Sequence, residues 1–265
     1  MKYQKNLIKN ENLKFTAHKT GFIMLIYGIL FCIISIKAYS GSFVNRDDFP
    51  NNMKYLINNL NVVNYLKLAS TDLVYGGTTQ FSLIVVALNI INIFTDDILT
   101  GNYKYLLLTG IQRKQYALGK FIYSFCINLM FILWMFILGL VLGSIVFGTK
   151  GVTIVNLLEV LGIYLMTIFP MMALTGIIAI FSTAIHTKAI LTIGSIILII
   201  TLGICDSFTK SKYISPTGML SLFTNDAPMS FIDSNIFICA VTSFTYFILT
   251  LILYYNKIKK EDLFI

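Results

Sequence analysis

The sequence predicts an all-α membrane protein: six transmembrane helices, both termini in the cytoplasm, an amphipathic cytoplasmic helix between spans two and three, and short outer-face helices. Three observations carry that expectation. Apolar residues make up 57% of the 265 and charged residues 12%, about half the roughly 25% charge of an ordinary soluble domain. Six long stretches hold no Asp, Glu, Lys or Arg, and the basic residues between them are unevenly shared. This composition excludes a soluble, disordered or fibrous chain. The formal charge, 20 − 12 = +8, belongs at a cytoplasmic face beside anionic headgroups, so membrane lipid is the expected contact and nucleic acid is not.

The charge-free stretches are 20–36, 73–95, 121–149, 160–185, 189–205 and 234–256. Crossing the hydrocarbon takes about 20 apolar residues, which places the spans at about 20–38, 73–95, 119–147, 156–185, 189–206 and 234–256. The first and fifth stretches are short, so Lys37 and Lys188 snorkel or those helices stand upright. Lys2, Lys5, Lys9, Lys14 and Lys19 precede the first span without a small-residue cleavage site, so that span is expected to be retained. With both ends inside, 13 basic residues face the cytoplasm and seven the exterior. The longest connection, 37–72, is too short for a soluble domain, so 1–265 reads as one membrane domain.

That first connection begins a helix at Asp48 and Pro50. Met53, Leu56, Ile57, Leu60 and Val63 share one face, with asparagines mainly on the others. It reads as an amphipathic helix on the outer surface, either a lid packed on the spans or a substrate gate. The segment 95–120, TDDILTGNYKYLLLTGIQRKQYALGK, is too polar to span yet carries Ile98, Leu99, Leu106, Leu107 and Leu108. Asp96 and Asp97 read as the start of a helix, Gly110 as its stop, with Arg113 and Lys114 beyond. This helix either docks a partner or lies at the interface. In the fourth span Glu159 is expected at the outer interface, because a charge at mid-depth costs at least ~2.5 kcal/mol, and Pro170 should kink the helix. A tight turn through His186, Thr187 and Lys188 leads to span five. The last outer connection, 206–233, suggests a short re-entrant helix from Ser215-Pro216 towards Pro228.

Chemistry-bearing motifs are scarce. His18 and His186 have no metal-ligand partners at suitable spacing, and there is no HExxH or GxSxG. Gly119-Lys120 is followed by Phe121 where a phosphate loop needs Ser or Thr. Cys32, Cys126, Cys205 and Cys239 lie in apolar runs and read as small hydrophobes. No catalytic residue, metal ligand or nucleotide site is expected, hence no enzyme. Gly76, Gly77, Thr78, Thr79, Gln80, Asn89, Asn92 and Asn128 serve helix packing or line a pathway; Phe125 and Glu159 join the candidate substrate pathway. Gly139 and Gly143 form a GxxxG suited to close packing of helices, a candidate dimer contact. The spans hold no acidic or basic relay, so a proton-driven carrier is not expected.

Asp97, Gly101-Asn102, Leu106-Leu107-Leu108, Gln112-Arg113 and Gly119-Lys120 follow one another in an order that resembles the permease subunits of type-2 ABC exporters. There an acidic residue, Gly-Thr, a Leu-rich turn, Ser-Arg and Gly-Lys lead into span three. Asp for Glu, Asn for Thr and Gln for Ser mark a divergent member. Glu11-Asn12-Leu13-Lys14 and Lys259-Lys260-Glu261-Asp262-Leu263 resemble the family's ends. The resemblance implies that 95–117 is a coupling helix seated in a separate ATPase subunit. Asp96, Asp97, Gly101, Leu106, Leu107, Arg113 and Lys120, with the Thr187-Lys188 turn, would take up its motion. It implies two ATPases, which hold ATP and Mg, and a second permease, identical or homologous. This chain itself would bind no cofactor. The nearest short members resemble those serving bacitracin efflux, lantibiotic immunity and phenol-soluble-modulin export in Gram-positive bacteria. The implied location is a bacterial plasma membrane and the implied cargo a hydrophobic or amphipathic peptide. Export of drugs, ions or lipids, or a non-ABC channel or binding module, remain the alternatives.

Overall fold

The computed structural model describes residues 11–12, 20–40, 56–75, 81–100, 102, 106, 108, 110–185, 187–206, 215 and 234–260. Among them the chain is helical, with no strand. Eight helices are defined among the described residues: α1 (Thr20–Tyr39), α2 (Val62–Tyr75), α3 (Phe81–Leu99), α4 (Arg113–Phe147), α5 (Ile154–Met166), α6 (Ile168–Ala184), α7 (Lys188–Asp206) and α8 (Ser234–Lys260). Among the described residues five stretches are long and apolar enough to cross a membrane: α1, most of α3, α4, α5 with α6, and most of α7. The chain is a multi-pass membrane protein.

Burial separates core from rim. In the 18-residue apolar window of the α5–α6 stretch 72% of residues are buried, against 22% and 17% in the corresponding windows of α1 and α7, so α1 and α7 turn most of their isoleucines and leucines outward. The centre is α6, in contact with α3, α4 and α8; its pairing with α8 is the most extensive among the described helices. At Gly176 the two backbones come so close that a Cβ would overlap Thr250 Oγ1. Turning Thr250 aside would break the hydrogen bond of its hydroxyl, whose one proton is shared between Tyr246 O at 2.8 Å and Phe247 O at 3.0 Å.

Pro170 acts as the sequence suggests. Lacking an N–H, it leaves the helix without one rung, and α5 gives way to α6 at Thr167, whose hydroxyl donates to Tyr164 O at 2.7 Å. α4, with 35 residues, extends about 52 Å at 1.5 Å per residue. It outruns a hydrocarbon core of roughly 30 Å, so its ends reach polar surroundings. Gly110, with φ 87, ends the connection before it in a conformation that side chains rarely adopt.

The first connection departs from expectation. Residues 56–58 are helical, with Leu56 and Ile57 buried, and a second helix that the charge pattern did not announce, α2, follows and sits in the core. Tyr65, Leu66 and Leu68 are completely buried. Ser35 and Tyr65 share a hydrogen bond of 2.9 Å, and Tyr164 OH donates to Leu66 O at 3.3 Å. Lys67 and Asp72 ended the charge-free run and disguised this stretch as a loop. Span two is displaced accordingly: α3 starts at Phe81 rather than 73 and runs to Leu99. Residues 48–55, 76–80 and 216–228, where the outer helix start, the glycine-threonine run with Gln80 and the re-entrant helix were expected, lie outside the described residues.

Replacing Gly176 with Ala should lower the thermal midpoint in detergent by the equivalent of about 1–3 kcal/mol, the usual range for overpacking. Thr250→Ala in the same chain should restore most of it. Equal melting of the single and double variants would count against the α6–α8 contact as the cause.

Candidate functional site

Asp96 and Asp97 do not open a helix; they lie in the last turn of α3. Two acids at the negative end of a helix dipole are unfavourable alone, so each must be met by a cation from elsewhere. Lys120, one turn beyond Tyr116 on α4, meets Asp97: its ammonium lies 2.6 Å from Asp97 Oδ2, 2.9 Å from Glu11 Oε1 and 2.5 Å from Ile93 O. An ammonium has three donors, and here three acceptors surround it. Tyr116 OH donates to Asp97 Oδ2 at 3.2 Å, and the Tyr116 ring stands 5.4 Å from the ammonium. Lys120 and Asp97 are 0% exposed and Glu11 2%. Beside this centre Lys188, first residue of α7, pairs with Asp96 at 3.0 Å. Arg113, first residue of α4, donates to Lys259 O at 2.6 Å and Ile258 O at 3.2 Å, closing the C-terminal end of α8 as a cation should.

One end of the bundle thus carries three acids and three bases, drawn from the segment before α1, α3, α4 and α7, with the end of α8 attached. The connection 100–112 leaves and re-enters this cluster. Along it, Leu106 is half-buried against the core, whereas Leu108 is 83% exposed. Thr187 is exposed in the turn before α7. Gly101, Leu107 and His186 lie outside the described residues. Asp97 and Lys120 are therefore internal; neither is available as a docking surface.

The candidate pathway residues are dispersed. Asn89 donates to Val85 O on its own helix at 3.0 Å, and Asn92 is half-buried nearby. Asn128 is buried between α4 and α6, its amide donating to Thr175 Oγ1 at 3.2 Å and its Oδ1 without a partner. Glu159 pairs with Lys67 of α2 at 3.4 Å, at the opposite end from the cluster. Phe125 alone borders a groove, an apolar one of about 310 Å³ between α4, α6 and α8. Gly139 and Gly143 serve packing within the chain rather than a dimer: a Cβ at Gly143 would come 2.5 Å from Tyr65 Cδ1, and one at Gly139 2.8 Å from Leu66 Cδ2. Among the described residues no three His, Cys, Asp or Glu gather as a metal site.

Sequence reasoning missed Glu11, Tyr116 and Lys67 as partners. The signal for the first two was a lysine, Lys120, at the mouth of a long apolar helix with acids at the end of the preceding one. Fold and site together define a multi-pass α-helical membrane protein with a buried ionic cluster at one end of its bundle. No known protein family matches the chain, and neither does any characterised protein compared with it.

Lys120→Met strands two buried carboxylates and should destabilise by about 3–5 kcal/mol, the cost of breaking a buried pair on one side. Adding Glu11→Gln and Asp97→Asn should recover much of that, because a neutral set needs no counter-charge. Thermal unfolding of the two variants in detergent decides it; a triple variant as unstable as the single one would deny the cluster its role.

Proposed function

We propose that this chain is the membrane-spanning permease subunit of an ATP-driven exporter of the type-2 ABC class. In this reading it has six spans, α8 being the sixth, with the ionic cluster and both termini at the cytoplasmic face of a bacterial plasma membrane. A second permease, identical or homologous, completes the pathway, and two separate ATPase subunits bind ATP and Mg.

The observation that carries the reading is how the connection 100–112 is anchored. Asp96 and Asp97 stand before it and Arg113 and Lys120 after it, each held by ion pairs or hydrogen bonds to other helices. A partner pressing on this connection would move α3, α4, α7 and α8 together rather than distort a loose loop. Leu108, largely exposed at an aqueous edge, is the kind of apolar side chain that a protein partner covers. Glu11 and Lys259 meeting one cluster supports both termini on one side. The charged residues that are buried among those described, Glu11, Asp96, Asp97 and Lys120, all belong to the cluster, and the described residues at mid-depth hold no relay of the kind a gradient-driven carrier needs. The resemblance of 95–120 and of the chain ends supplies the rest, including the substrate class, hydrophobic or amphipathic peptides. Nucleotide hydrolysis belongs to the partner, and the permease passes the motion on as a shift between inward-open and outward-open states.

The test is mild-detergent purification of the tagged chain from its host. An ATP-binding-cassette subunit should be recovered with it near one-to-one. Leu108→Glu should abolish that recovery while leaving the melting temperature within the ±0.5 kcal/mol typical of surface changes. A stable oligomer of this chain alone would overturn the proposal. Independently, alkaline phosphatase fused to either terminus should be inactive in cells and a fluorescent protein at the same positions bright; active phosphatase at either end would refute the orientation.

A further inference from the structure

The apolar groove between α4, α6 and α8 goes beyond this reading and does not rest on it. Its floor is Phe121, Ile168 and Met172, each at most 7% exposed; its rim includes Phe125 and Phe244, 41% and 52% exposed, with Phe247 between. All ten lining residues are apolar. On α4 the groove runs from Leu118 to Phe125, about 10 Å at 1.5 Å per residue. It begins about 7.5 Å from the first residue of the helix, which places it in the leaflet on the cluster side. Its volume, about 310 Å³, stands at the lower limit of small-ligand sites, roughly 300–1,000 Å³.

These dimensions select the occupant. A partner helix is ~10–12 Å across with its side chains and needs a long seam with small residues to approach; a groove about 10 Å long and rimmed by phenylalanines offers neither. A flexible hydrocarbon chain fits the width, the depth and the lack of polar lining. The end of the groove carries a charge as well. Lys114 lies one turn before Leu118 on the same stripe of α4, is exposed, and has no partner among the described residues. Its neighbour Arg113 is committed to the α8 carbonyls. We infer that the groove holds one acyl chain of an anionic phospholipid whose phosphate pairs with Lys114.

Brominated lipids test this in vesicles containing the full chain. Trp134 is the sole tryptophan, so Trp134→Phe gives a dark background. Into it Phe125→Trp places a reporter at the rim, and Ile197→Trp places one on the outward face of α7 as a control for ordinary lipid contact. At equal mole fraction, brominated phosphatidylglycerol should occupy the Phe125→Trp site about fivefold better than brominated phosphatidylcholine, the preference expected of one basic side chain at a membrane surface. Lys114→Gln should reduce that to parity, and Ile197→Trp should show no preference throughout. Parity at Phe125→Trp with Lys114 intact, or an equal preference at Ile197→Trp, would overturn the site. So would an unquenched Phe125→Trp beside a quenched Ile197→Trp, since protein rather than lipid would then cover the groove.

Discussion

A lysine ammonium removed from water must direct all three of its donors at protein acceptors, and Lys120 does so at the end of a bundle that is otherwise apolar. Taking a charge out of water costs several kcal/mol, which is repaid only when geometry and hydrogen bonding are both good. Asp97, Glu11 and Ile93 O meet that demand. Two of them come from the last turns of α3 and one from the segment before α1, so with α4, which carries Lys120 itself, the contact joins three parts of the chain. The relative positions of these parts are therefore fixed more tightly than packing of leucines against phenylalanines would fix them, since apolar surfaces slide at little cost whereas a displaced buried ion pair loses its compensation.

Helix dipoles extend the same constraint outward. α3 ends on two acids, where its own dipole is negative, and would be frayed by them without Lys120 and Lys188. α8 ends on carbonyls that Arg113 covers. Arg113 and Lys188 are the first residues of α4 and α7, where their charge is unfavourable alone. The charged ends of α3, α4 and α7 are thus mismatched with their own dipoles and matched with a neighbour's groups. The cluster rewards assembly of the whole set, and helices joined in this way move as a group.

The spans were legible because membranes demand long apolar runs, and the sequence marks those runs by the absence of charge. The same criterion hid α2. Lys67 ends an apolar run, yet it is compatible with a buried helix once Glu159 faces it, and no local pattern announces a partner 92 residues away. Asp96 and Asp97 were misplaced for a related reason. An acid pair before Leu-rich sequence matches a helix start, and only the distant Lys120 and Lys188 make it tolerable at a helix end. Gly139 and Gly143 signalled close approach correctly but not to what: GxxxG specifies a thin helix face, and Tyr65 and Leu66 of α2 fill it. Of the residues proposed to line a pathway, Asn89 turns its amide back onto its own helix, whereas Asn128 reaches across to Thr175 of α6 with its carbonyl oxygen unmatched.

Cluster and groove meet at one place in the chain. Lys120 points into the charges, and Phe121, the next residue, forms the floor of the groove and stacks edge-on against Phe94, Phe247 and Tyr254 with ring centroids 5.2–5.7 Å apart. Successive residues of a helix are about 100° apart, at 3.6 residues per turn, so α4 presents a charge to one neighbour and an aromatic wedge to the next at the same depth. A rotation of α4 that shifted Phe121 in its aromatic nest would also withdraw Lys120 from its acceptors. Since aromatic contacts of this type contribute about 0.5–1.5 kcal/mol beyond burial, and an unpaired buried charge costs more, the ionic side sets the stiff coordinate and the apolar side follows it. Whatever fills the groove therefore bears on the anchor of the connection 100–112 without touching a charged residue in the cluster.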